Sequence, residues 1–295
     1  MKTLTCTVPA ECDGMMIKRI LRVNLSVSHR QLSDLKNHNG MLLNGVPVHA
    51  NAVVHTGQTV TALLEAGAEE RGINREEGPV CIVYEDEDLL VIDKSAPLAC
   101  QSSSRQPDNT LENRLMYYFR DLPGYTFRPV NRLDKGTSGL MVVAKHAHAQ
   151  TLLSKQLHTP RFVRRYMAVV EGHLPEKAGT IDLPIGKEKG ASIRRVIDPE
   201  GRLSVTHYEV LSETDARSLV RLTLETGRTH QIRVHLSAMG CPVWGDFLYG
   251  REDPALPERF ALHSCHLEID HPLDAGKRLV FDSELPEALR SLILR

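Results

Sequence analysis

The chain has 295 residues, 41% hydrophobic and 25% charged, with a formal net charge of -1. This is an ordinary globular composition, long enough for one large domain and a smaller companion. No low-complexity tract occurs, and no apolar run approaches the roughly 20 residues that span a bilayer. The opening Met1-Lys2-Thr3-Leu4-Thr5 has no apolar signal core, so a cytoplasmic protein is expected. The charge balance alone argues poorly for a nucleic-acid partner, but its distribution matters more. From Lys155 to Arg233, 14 Lys or Arg stand against 10 Asp or Glu, while acids gather at Glu85-Asp86-Glu87-Asp88. None of the six cysteines forms a Cys-x-x-Cys pair. His263, Cys265 and His266 lie on a strand-like pattern that splits them between two faces. No zinc spacing appears, and no metal is expected.

Residues 1–66 read as a small module. Met16 to Leu25 have helical spacing. A second helix runs from Ser28, its N-cap, to Lys36, and Gly40 ends it. Asn44-Gly45 between apolar residues signals a hairpin, and Val60-Thr61-Ala62-Leu63 completes a strand. Residues 67–79 are polar and rich in Gly, as in a linker. The large domain spans 80–295. It opens on strands at Cys81–Tyr84 and Leu89–Ile92. A helix follows at 110–119, with Asn109 as its cap and Glu112 as the reciprocal partner. Further strands are expected near 139–145, 165–171, 203–211, 218–225 and 260–269. Helices are expected near 147–157 and 229–239, the second capped by Thr229. A last helix should run from Pro286 to Leu294. Strands with scattered helices predict an α+β fold with a mixed, largely antiparallel sheet.

The most informative stretch is Val130-Asn131-Arg132-Leu133-Asp134-Lys135-Gly136-Thr137-Ser138-Gly139-Leu140. An arginine and a carboxylate sit two residues apart, just ahead of the apolar strand Leu140–Ala144. Taken alone, Asp134 reads as a turn carboxylate. Two further segments change that reading: Arg164-Arg165-Tyr166-Met167-Ala168, and Glu225-Thr226-Gly227-Arg228-Thr229-His230-Gln231-Ile232-Arg233-Val234-His235. Together the three resemble the motifs of the RluA-type pseudouridine synthases. Asn131 departs from that pattern, which has His, and Ser95 and Pro97 depart from the usual Lys-Pro-Ala-Gly turn. The N-terminal order of helix, helix and Asn-Gly hairpin resembles the α-L RNA-binding domain.

The resemblance implies an isomerase that rearranges uridine in structured RNA. Ribosomal RNA of the large subunit is the expected substrate, and transfer RNA is the alternative. A carboxylate suits the reaction because it can add to an electrophilic carbon and leave again, so no cofactor is expected. The resemblance makes Asp134, Tyr166 and Arg233 catalytic, with Arg233 pairing with Asp134 and favouring its charged form. It gives Arg132 the gap left by an extruded base, Tyr166 the stacking on uracil, and Ile232 the packing beneath. Arg228 and His230 are expected to bind substrate, and Arg22, Arg30 and Lys36 to meet phosphates along one helical face. A monomer is expected. Two other classes compete. Gly136-Thr137-Ser138-Gly139 faintly evokes a serine hydrolase turn, but the nucleophile elbow needs Gly-x-Ser-x-Gly between strand and helix. A non-catalytic RNA-binding assembly factor would tolerate loss of Asp134, Tyr166 or Arg233, and all three are present.

Overall fold

The structure, a computed structural model, describes residues 2–64, 72–157, 159–190 and 193–293. The N-terminal segment contains β1 (Lys2–Thr7), α1 (Ile17–Val23), α2 (His29–Asn37), β2 (Met41–Leu43), β3 (Val46–Pro47) and β4 (Thr59–Leu64). Its strands form a sheet in the order β1-β4-β2-β3. Ser28 caps α2 in a reciprocal box with Gln31. Asn44 and Gly45 turn the hairpin at φ 50° and 81°, as a two-residue loop demands. Ile17, Ile20, Leu21, Leu32, Leu35, Val60 and Ala62 bury a core of their own. The linker expected at 67–79 falls partly on 67–71, outside the described residues; 72–79 carry no regular structure.

The remainder begins with β5 (Cys81–Glu85), β6 (Leu89–Lys94), α3 (Leu111–Tyr118), β7 (Arg128–Pro129), β8 (Ser138–Ala144), α4 (Ala147–Gln156) and β9 (Val163–Glu171). There follow β10 (Ala178–Asp182), β11 (Ile185–Lys187), β12 (Arg195–Ile197), β13 (Val205–Glu213) and β14 (Arg217–Leu224). The chain ends with α5 (Gln231–Ala238), β15 (Leu262–Asp270), β16 (Arg278–Asp282) and α6 (Glu287–Arg290). The main sheet runs β10-β13-β14-β9-β15-β8-β6-β5, with β16 on β15 and β7 on β8. Only β15 and β8 pair in parallel among these strands. The expected α+β class and largely antiparallel sheet hold.

Alternation sends successive residues of β6 and β8 to opposite faces. Leu90, Ile92, Met141 and Val143 pack on one side with Leu111, Leu115 and Leu236. Leu89, Val91, Leu140 and Val142 pack on the other with Ala149, Leu153 and Phe162. Both faces are covered, which is why β8 is buried along its whole length. At the parallel junction a Cβ on Gly139 would lie 2.2 Å from the Ser264 carbonyl oxygen, and its φ is +109°. Only glycine fits there.

Three local expectations need correction. The cap of α3 is Thr110, in a box with Asn113. Asn109 stands at φ 54°, so it lacks the extended backbone of a cap, and Glu112 instead accepts from Ser102 N–H and Oγ. The residue entering α5 is His230, at φ 58° with no side-chain cap, not Thr229. The last helix is the single turn Glu287–Arg290 after Pro286, and Leu294 lies outside the described residues.

Candidate active site

Asp134 lies in the loop entering β8, and the loop is tied down from below. Its own carbonyl accepts from Thr137 N–H at 3.1 Å, and the Lys135 carbonyl accepts from Leu98 N–H at 3.0 Å. Lys94, 1% exposed, donates from Nζ to the carbonyls of Leu98 (2.7 Å), Ser95 (2.9 Å) and Lys135 (3.4 Å). Burial pushes that ammonium down to about 8. The turn carrying Ser95 and Pro97 is thus bound to the Asp134 loop through one lysine. Asn131 ties the same loop to the sheet, its Oδ1 accepting from Val142 N–H of β8 at 2.9 Å.

Arg233, the third residue of α5, reaches Asp134 with Nη1 donating to Oδ2 at 2.9 Å. Behind it stands Asp246, fully buried. Asp246 accepts from Arg233 Nε at 2.7 Å and Nη2 at 2.9 Å. It also accepts from the backbone N–H groups of Leu248 at 3.0 Å and Tyr249 at 3.2 Å. The guanidinium lies 4.1 Å over the Phe260 ring. Burial alone would lower its pKa, but the bonds to Asp246 and the charge of Asp134 outweigh that and raise it. One buried cation is therefore held by a buried carboxylate and presented to a second, partly open one.

His230 is a third neighbour. Its Nε2 lies 3.9 Å from Asp134 Oδ2, and its Nδ1 bonds the Tyr249 hydroxyl at 2.8 Å. Burial pushes this imidazole down, against the opposing charge of Asp134, so the neutral ring prevails at neutral pH. Tyr166 of β9 is 5% exposed. Burial raises its phenol pKa; the Arg164 charge opposes this and the Asp134 charge adds to it. A neutral phenol and ring therefore stand within electrostatic reach of the carboxylate.

Asp134, Tyr166, His230 and Arg233 line one cleft of about 1380 Å³. Arg132, Asp134, Tyr166, Arg228, His230, Ile232 and Arg233, all expected from the sequence, share its wall. Arg132 is exposed and is held by a long bond to Gln101 Oε1, at 3.4 Å. Arg228 donates from Nε to the Leu203 carbonyl at 3.1 Å. The N-terminal segment adds Ser28, Arg30, Gln31 and Asp34 to its lining. The three basic residues expected on one helical face part company. Arg30 lines the cleft, Lys36 lines a small depression beside Lys18 and His49, and Arg22 is exposed on α1 and belongs to neither. Arg30 and Lys36 are six residues apart, which at 3.6 residues per turn points them in different directions.

Ser138 is 4% exposed. Its hydroxyl bonds His263 Nδ1 at 2.9 Å and accepts from Arg259 Nη2 at 3.1 Å. It is an internal tie, not an open nucleophile. Asp86, Asp88 and His271 place potential metal-ligand atoms within 4.8 Å of one another. Their carboxylates already accept from Tyr84 at 2.7 Å and Lys2 at 2.8 Å, and Asp88 also bonds His146 at 2.8 Å.

Residues 88–238 match the RNA pseudouridylate synthase family. Over 296 residues the chain is 37% identical to ribosomal large subunit pseudouridine synthase D of Pseudomonas aeruginosa, covering 95% of this chain and 91% of the relative. The chain belongs to the RluA-type RNA pseudouridine synthases. It is also 38% identical over 271 residues to the RNA pseudouridine synthase YjbO of Bacillus subtilis, covering 91% of this chain and 95% of that one. Among solved structures, human RNA pseudouridylate synthase domain containing 1 matches with a TM-score of 0.56 and 30% identity, over 71% of this chain and 86% of that chain. No helix among the described residues is long and apolar enough to cross a membrane.

In this pseudouridine synthase the sequence reading missed three participants in the site. Asp246, in the segment Gly245-Asp246-Phe247-Leu248-Tyr249-Gly250, stands behind Arg233. Its bond to Arg233 spans 13 residues and a change of element, which no local pattern announces. The same holds for Tyr249 and its bond to His230. Lys94 precedes the departing residues Ser95 and Pro97, and its three bonds to backbone carbonyls are not readable from the sequence.

Proposed function

We propose that this enzyme isomerises uridines of large-subunit ribosomal RNA in the cytoplasm, acting as a monomer, with Asp134 as the attacking carboxylate and no cofactor. The carrying observation is the Asp134–Arg233 pair at 2.9 Å, opening onto a cleft wide enough for an extruded nucleoside and its neighbours. Uracil leaves the sugar through its ring nitrogen and rejoins through carbon five. That carbon loses a proton and the nitrogen gains one, so substrate and product have the same atoms. Asp134 supplies a nucleophile that adds and departs again. Arg233, fixed by Asp246, holds the carboxylate aimed at the cleft without taking part as an acid. Tyr166 stacks on the flipped base, a contact worth roughly 1–3 kcal/mol, and Ile232 packs against it. Arg132, exposed and weakly held, takes the place of the base in the stack. The N-terminal segment serves as an α-L-like RNA-binding module, with Arg30 turned to the cleft. The similarity to the large-subunit enzyme of Pseudomonas aeruginosa supports the choice of RNA.

The test uses RNA carrying tritium at carbon five of uracil, taken from cells lacking the protein. The purified enzyme should release tritium from large-subunit RNA. Release from transfer RNA alone would move the substrate assignment there, and release from neither would end it. Arg132→Ala should lower turnover by about tenfold or more while RNA affinity changes by less than about threefold, because phosphate contacts elsewhere supply most affinity. Equal losses of both would reduce Arg132 to a phosphate clamp.

A further inference from the structure

Arg164 stands out among the arginines of the catalytic sheet. It lies two residues before Tyr166 in β9, so both side chains leave the same face of the strand. It is 5% exposed. Its Nε and Nη2 are buried with no hydrogen-bond partner, and among the described residues no carboxylate pairs with it. Nearby arginines are accommodated. Arg165 pairs with Glu268 at 3.7 Å, Arg221 bonds Glu209, and Arg233 has two carboxylates. What Arg164 has instead is the Phe162 ring, 5.6 Å from its guanidinium carbon.

A buried, unpaired charge is among the costliest arrangements in a protein. A buried donor left without a partner in the free protein calls for an explanation, and an anion that arrives during function is one. Arg164 lines the same cleft as Asp134, Tyr166, Gly227 and Arg228. A Cβ on Gly227 would lie 3.0 Å from Arg164 Nη1, so glycine leaves bare backbone over the cation where a side chain would cover it. The charge also reaches the Tyr166 phenol. Two residues of strand place Arg164 about 6.6 Å along from Tyr166, a distance comparable to one nucleotide of extended RNA.

We propose that Arg164, reached over Gly227, seats the backbone phosphodiester flanking the target uridine. The guanidinium presents planar donors that suit a phosphate, and the phosphate neutralises a charge the free protein leaves uncompensated. This rests on the reading of Asp134 and Tyr166 as the seat of the uridine only for which phosphate is bound.

The test measures RNA binding in an Asp134→Asn background, so that turnover plays no part, at a series of salt concentrations. Adding Arg164→Met should weaken binding about tenfold to a hundredfold at low salt. It should also reduce the slope of log affinity against log salt by about 0.7–0.9, the loss of one phosphate contact. The melting temperature of the free protein should stay level or rise, because the substitution removes an unpaired buried charge. Gly227→Leu should reproduce the binding defect with Arg164 in place, and Arg164→Lys should retain most of the salt slope. An unchanged slope in Arg164→Met would overturn the proposal, as would a lowered melting temperature with affinity intact, which would make Arg164 a structural residue. Tritium release by Asp134→Asn alone bears on the uridine seat instead, so the two ideas fail separately.

Discussion

Asp134→Asn should abolish tritium release, by at least about 10⁴-fold as for loss of other catalytic nucleophiles, while leaving the protein folded. The amide is nearly the same shape, and its oxygen can still accept from Arg233 Nη1. What it lacks is the charge and the electron pair that let a carboxylate attack carbon. Stability should barely move, since the Asp134 side chain is 27% exposed and partly open ion pairs contribute about 1 kcal/mol or less. Arg233 also keeps its bonds to Asp246. Release and thermal unfolding measured on one preparation would decide it. A variant that turns over at the native rate removes Asp134 from the chemistry.

Asp246→Ala should cost stability as well as rate. The same guanidinium is involved, but this carboxylate is fully buried and accepts from two arginine nitrogens and two backbone N–H groups. Removing it leaves a cation that is itself 4% exposed with only the partly open Asp134 as partner, and orphans the amides of Leu248 and Tyr249. Breaking a buried pair from one side costs about 3–5 kcal/mol, visible as a lower denaturation midpoint with an unchanged slope. Activity should fall in the folded fraction as well, because Arg233 would no longer be aimed. Asp246→Asn should fall between, keeping the shape while setting an amide against the cation. Full stability in Asp246→Ala would mean that Arg233 is anchored elsewhere. One cation thus separates two carboxylates, one whose loss is felt in rate alone and one whose loss is felt in folding as well.

The Asp134, Tyr166 and Arg233 segments stand out in the sequence because together they resemble the motifs of one family; taken alone, Asp134 reads as a turn carboxylate. The central strands were legible because apolar stretches such as Leu140–Ala144 have no other use. The misses have physical causes. Asn109 and Thr110 are both good caps, and the choice between them depends on a backbone angle that composition does not reveal. Thr229 is a better cap by type than His230, yet the chain enters α5 through a left-handed residue that brings an imidazole to Asp134. Strands β10, β11 and β12 are short and rich in Gly or charge, so they have no run of alternation to detect. Arg22, Arg30 and Lys36 are basic alike, but Arg22 stands on α1, and helix phase parts Arg30 from Lys36 on α2. The hold of Asp246 on Arg233, and the want of a carboxylate for Arg164, are relations between distant segments that no single stretch contains.

The parallel junction of β15 with β8 has a consequence for how much chain the enzyme needs. Strand β15 lies between β8 and β9, yet the site side chains from Asp134 to Asp246 all precede it. A polypeptide cut before Leu262 would own every chemical group of the centre and still lack the rail that sets the two halves of the floor side by side. Its inactivity would come from missing architecture with the reagents intact, and supplying the absent C-terminal piece as a separate peptide is the way to ask whether the floor can close again.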